Sequence, residues 1–138
     1  MKDRDYSKIE IALYQLEKAI ELFIEGNDYI SCITLAGASE EITGRMVQRS
    51  GNMNFLDLVR EYYKSDPNID TSSKFYNWAR QTRNALKHFN AENETSVYVS
   101  KLEAQQYIQA AVVNYMNIQA IYTRKIEEFI EYCKNEEA

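Results

Sequence analysis

The chain has 138 residues, enough for one domain with a sizeable core and too few for two. Apolar residues at 45% and charged residues at 27% are ordinary values for a folded domain and exclude wholesale disorder. Sixteen Lys and Arg against 21 Asp and Glu give a net charge of −5, which argues against broad coating of nucleic acid but leaves room for a local basic site.

Four Gly and one Pro suit a few long helices with short connections better than a turn-rich β-sandwich. A single histidine excludes a His-rich metal site, and no metal or other cofactor is expected. Cys32 and Cys133 are too few and too far apart for a zinc finger or a disulfide framework, and they read as buried thiols. The start, MKDRDYSKIE, lacks the apolar core of a signal peptide, and no apolar run reaches membrane-spanning length. The expectation is a soluble cytoplasmic protein.

Periodicity predicts a first amphipathic helix over 7–25, with Ile9, Leu13, Leu16, Ile20, Phe23 and Ile24 inward and Gly26-Asn27 as its stop. Asp28 is the expected cap of a second helix, 29–50. Ile33, Ala36, Gly37, Glu40, Gly44 and Val47 share one side of it, and Leu35, Ala38, Ile42 and Met46 the other. That pattern predicts a helix lying between two neighbours and stopping at Gly51. Asn54 opens a shorter third helix that ends before the Pro67 turn.

Ser72 or Ser73 can cap a fourth helix, 73–90, with a core stripe of Phe75, Trp78, Ala79, Thr82, Leu86 and Phe89. After a polar connection, Ser100-Lys101-Leu102-Glu103 has the form of a capping box. A last helix to about residue 133 holds no Gly or Pro, and its stripe runs from Ile108 and Val112 through Tyr122 to Cys133. It would be on the order of 50 Å long, so part of it should overhang or pack on a second protomer.

The stretch most suggestive of chemistry lies in the fourth helix. Residues 71–91 contain no acid but carry Lys74, Arg80, Arg83 and Lys87. On a straight helix Arg80, Arg83, Asn84, Lys87 and His88 all turn away from the core. Arginine offers a planar fork of permanently charged donors, and histidine both accepts and donates protons near neutrality. With Asn84 to orient either partner, the set suits proton transfer around a phosphodiester. Glu40, on a small-residue face, needs a basic partner such as Arg83 if it is buried. Glu41 falls on a polar side and reads as solvated. Tyr76 is a base-stacking candidate, and Arg80 and Lys87 are phosphate-binding candidates.

Arg83-Asn84-Ala85-Leu86-Lys87-His88 resembles the R-N-x-x-x-H form of the R-x(4–6)-H motif of the HEPN superfamily. Leu35-Ala36-Gly37-Ala38-Ser39-Glu40-Glu41-Ile42 is similar to the small-residue, acidic stretch in the second helix of such domains. The resemblance implies an all-α antiparallel bundle of about five helices, a single HEPN-like domain over residues 1–138. It also implies a homodimer whose two motifs share one cleft. Many relatives of this kind are metal-independent endoribonucleases of toxin or defence type. Carried over, Arg83 would hold the scissile phosphate of single-stranded RNA, His88 would be general base or acid, and Asn84 would position His88 or the ribose. The alternative is a non-catalytic module that binds RNA, a nucleotide or a protein partner such as a cognate antitoxin. Arg83 and His88 diverge by 140° on a straight helix, so they meet one phosphate only through long side chains, a local distortion or, the preferred explanation, pairing of motifs across a two-fold axis.

Overall fold

A computed structural model describes residues 1–89 and 93–137. It is all-helical, with no strand among the described residues. Helix α1 spans Lys8–Glu21 and runs on into a wider π turn, Leu22–Gly26. Helix α2 spans Tyr29–Arg49, and α3 spans Phe55–Arg60 with a 3-10 turn at Glu61–Tyr63. Then come α4 (Ser72–Ala79), α5 (Gln81–Lys87), α6 (Lys101–Gln119) and α7 (Arg124–Glu137).

Local chemistry accounts for most boundaries. Ser7 and Glu10 form a reciprocal capping box at the start of α1. Asp28 accepts from the Ser31 amide at 3.0 Å, and Asn54 accepts from the Asp57 amide at 2.8 Å. Asn27 takes the left-handed conformation that ends the first helix. Thr71, rather than Ser72 or Ser73, caps α4, accepting from the Lys74 amide at 3.2 Å. Ser100 caps α6, but the Glu103 carboxylate does not close the box on the Ser100 amide. It accepts instead from the Thr82 hydroxyl at 2.7 Å, tying α6 to α5.

Helix α2 is the centre of the fold, packed between α1 and α6. Its first face is buried as expected (Ile33, Ala36, Gly37, Glu40, Gly44 and Val47), whereas Leu35, Ala38, Ile42 and Met46 are only half-buried. Asn114 of α6 donates to the Glu40 carbonyl and accepts from the Phe55 amide at 2.8 Å, fixing the start of α3 against both helices. Cys32 is buried, and burial pushes its thiol up to about 12; half-buried Cys133 accepts from Gln105.

Two expected helices are each broken in two. The predicted 73–90 helix divides at Arg80 (φ −102°, ψ 13°), which resets the phase of everything after it. Trp78 is 46% exposed and Phe89 76% exposed, so neither belongs to the core stripe assigned to it. The predicted 100–133 helix divides at Ala120 (φ 51°), a left-handed conformation that costs about 1–2 kcal/mol without glycine. The chain then turns back and α7 packs on α1, burying Ile126 and Phe129; the Phe129 ring lies 6.0 Å from Phe23. Burial of two such side chains, at about 1.5–3 kcal/mol each, outweighs the strained residue. The last helix therefore has no overhang, and the argument from its length for a second protomer falls away. Tyr122 is exposed in the turn.

Candidate functional site

Helix α5 begins without a side-chain cap of its own. Tyr107 of α6 fills that role from outside. Its hydroxyl accepts from the Arg83 amide at 3.2 Å and donates to the Ala79 carbonyl at 3.1 Å, spanning the α4–α5 break. The break turns Arg83 inward. Arg83 is buried, not outward as a straight helix requires, because α5 restarts at a new angle and α2 presents Gly37 beneath it. A Cβ on residue 37 would lie 2.6 Å from Arg83 Cγ and closer still to Cδ.

The Arg83 guanidinium is firmly held. Its Nη1 donates to Glu41 Oε2 at 2.7 Å and reaches the Gly37 carbonyl at 3.4 Å. Its Nε and Nη2 donate to Asn84 Oδ1 at 3.3 and 2.9 Å. Of its five N–H groups, one on Nη2 is left without a partner among the described residues. Asn84 thus orients the arginine. Glu41, read from the sequence as solvated, is the residue that anchors Arg83, and it also faces Arg45 at 3.5 Å. Burial pushes the Glu41 carboxyl up, but the Arg83 and Arg80 charges outweigh it and hold the group below its ordinary range.

Glu40 is buried, as its small-residue face suggests, and has a basic partner. That partner is Arg80 rather than Arg83. Arg80 Nε and Nη2 grip the two carboxylate oxygens at 3.1 and 3.0 Å in a bidentate pair. Burial pushes the Glu40 carboxyl up, against the pull of Arg80. The Arg80 guanidinium also lies 4.7 Å above the Tyr76 ring, covering one face that a base would need. The Tyr76 hydroxyl meets Asp57 Oδ1 at 2.7 Å and Asn54 Oδ1 at 3.0 Å, and burial with Asp57 pushes it up to about 12.

The acid-free segment is therefore not a free cationic face. Arg80 pairs with Glu40, Arg83 with Glu41 and Lys74 with Asp70. Lys87 and His88 are exposed at the end of α5. His88 has left the helix (φ −123°, ψ 146°), so the divergence calculated for a straight helix does not apply to it. The end of the expected fourth helix, residue 90, lies outside the described residues.

A cleft of about 370 Å³ opens between α3, α4 and α6, with Gln81 and Thr82 of α5 also lining it. Its aromatic wall includes Phe75, Trp78 and Tyr63, and Glu40 and Arg80 form part of its polar lining. A shallower groove of about 550 Å³ runs along α2, with Lys8, Arg45 and Arg49 beside Glu41. Sequence reasoning did not place Tyr107 or Glu41 in the site, and the pairing at Gly37 was visible only as a small residue. No group of three or more His, Cys, Asp or Glu side chains suited to a metal occurs among the described residues. No helix among them is long and apolar enough to cross a membrane.

No family model, no curated protein and no solved structure matches this chain.

Proposed function

We propose that this chain is a HEPN-like helical module acting as a metal-independent endoribonuclease, of toxin or defence type, at a cleft between two copies. The observation that carries the reading is the way α5 is set. The Glu41 carboxylate and the Asn84 amide hold the Arg83 guanidinium at one end, and the helix stops so that the sole histidine stands exposed at the other. The acidic stretch of α2 that resembles HEPN domains supplies both carboxylates that pair with Arg80 and Arg83.

In this reading the remaining Nη2 proton of Arg83 meets a phosphate oxygen, and Lys87 adds charge at the edge. His88 takes the proton of a ribose 2′-hydroxyl. The 2′-oxygen bonds to phosphorus, the bond to the 5′-oxygen breaks, and His88 of the second copy protonates the departing oxygen. The products are a 2′,3′-cyclic phosphate and a 5′-hydroxyl. Cleavage of single-stranded RNA should survive chelator and disappear in His88→Ala.

One observation favours a second reading, a non-catalytic module that binds RNA, a nucleotide or a protein partner such as an antitoxin. Buried Arg83 and half-buried Arg80 are already engaged by carboxylates, which leaves little charge to stabilise a transition state. Retention of RNA that weakens in Arg83→Ala, with no strand scission by the wild type, would select it.

A further inference from the structure

The cleft between α3, α4 and α6 is lined by none of Arg83, Asn84 and His88, the residues given roles in the ribonuclease reaction. At about 370 Å³ it falls within the range of small-ligand sites. Three rings cluster on one wall, with Tyr63 and Trp78 centroids 5.3 Å apart and Phe75 and Trp78 5.6 Å apart. Trp78 is 46% and Tyr63 39% exposed, so this aromatic surface is open to a ligand face. Such rings stack on any planar π-system.

The polar lining narrows the class of ligand. Gln106 and Gln109 of α6 are exposed at the cleft and offer both amide donors and acceptors. Glu103 adds a carboxylate, one oxygen of which accepts from Thr82 at 2.7 Å and the other from Ser100 at a long 3.5 Å. Arg80, the lining cation, is spent on buried Glu40. Glu40 and Glu103 against Arg80 leave the lining with one net negative charge, which disfavours a phosphate. We propose that this cleft binds a planar heteroaromatic ligand of about purine size, with an amino-bearing edge and no phosphate. The rings take its face, and the glutamines with Glu103 read its edge.

Trp78 is the single tryptophan of the chain, so its fluorescence reports on the cleft directly. The experiment titrates the full chain with adenosine and with AMP, following Trp78 emission and heat. The expected result is saturable adenosine binding, with AMP weaker by about ten-fold or more. Ala110→Leu, which fills the cleft from α6, should weaken adenosine by a similar factor. Gln106→Ala, at an exposed position that does not endanger folding, should weaken it as well. His88→Ala should leave it unchanged, which keeps the outcome separate from that of the ribonuclease reading. Absence of saturable binding by both readouts would overturn the proposal, as would AMP binding as tightly as adenosine. So would adenosine binding unaffected by Gln106→Ala and by a folded Ala110→Leu.

Discussion

Gly37→Ala is the substitution for which the structure and ordinary helix chemistry disagree most sharply. In the middle of α2, alanine should stabilise the helix by about 0.8–1 kcal/mol over glycine. Here the new Cβ would lie 2.6 Å from Arg83 Cγ and 3.3 Å from Arg83 Cβ. These are the root of the side chain, not its flexible tip, so Arg83 must leave its seat or α5 must move. Overpacking of this kind costs about 1–3 kcal/mol. Loss of the short Arg83–Glu41 hydrogen bond adds about 1.5 kcal/mol, the low end for a charged pair, because Glu41 is one-third exposed. The net expectation is destabilisation of about 1–4 kcal/mol, or roughly 4 °C in melting temperature per kcal/mol for a chain of this size. Chemical denaturation followed by circular dichroism measures it. Gly26→Ala is the control, since its nearest neighbour would be Leu22 at an ordinary 3.6 Å. In an Arg83→Ala background, Gly37→Ala should become neutral or stabilising, and that reversal is the coupling a double-mutant cycle reads. A Gly37→Ala protein as stable as the wild type would refute the seating of Arg83 on α2.

Further expectations follow from the same geometry. Glu40→Gln should destabilise by about 3–5 kcal/mol, because it strands the Arg80 charge at 13% exposure; Glu40→Leu with Arg80→Leu should recover most of that loss in denaturation midpoints. Glu41 has a lowered folded-state pKa, so its contribution is present above the ordinary carboxylate pKa of about 4.3 and fades as pH falls through the folded value. Stability measured from pH 6 down to about pH 3 should therefore fall less steeply in Glu41→Gln than in the wild type. Ala120→Gly should stabilise by up to about 1 kcal/mol, since glycine accepts the left-handed conformation between α6 and α7; a clear loss of stability would argue that α6 and α7 form one helix.

The all-helical class and the α1–α2 boundaries were legible in the residues because capping side chains and periodicity act locally. Asp28, Asn54 and Ser100 cap where their spacing predicts. The two missed breaks have no local signal. Ala120 is a poor left-handed residue, and its turn is held by burial of Ile126 and Phe129 against a helix a hundred residues earlier in the chain. Arg80 is an ordinary helix former, and its break is held by Tyr107 and by the grip of Glu40. A helical wheel drawn through residue 80 therefore carried the right phase to Phe75 and the wrong one to Arg83 and Phe89. The partner of Glu40 was legible as a chemical need but not as an address. Glu41 was hidden because the wheel for α2 knew nothing of where α5 would cross.

The central claim, that Arg83, Asn84 and His88 serve a ribonuclease, is tested most directly by incubating a varied single-stranded RNA pool with the protein in chelator and determining the new ends. The account predicts 2′,3′-cyclic phosphate and 5′-hydroxyl ends with wild type and none with a folded His88→Ala protein. An RNA pool left intact by the wild type, or cut equally by His88→Ala, would contradict it.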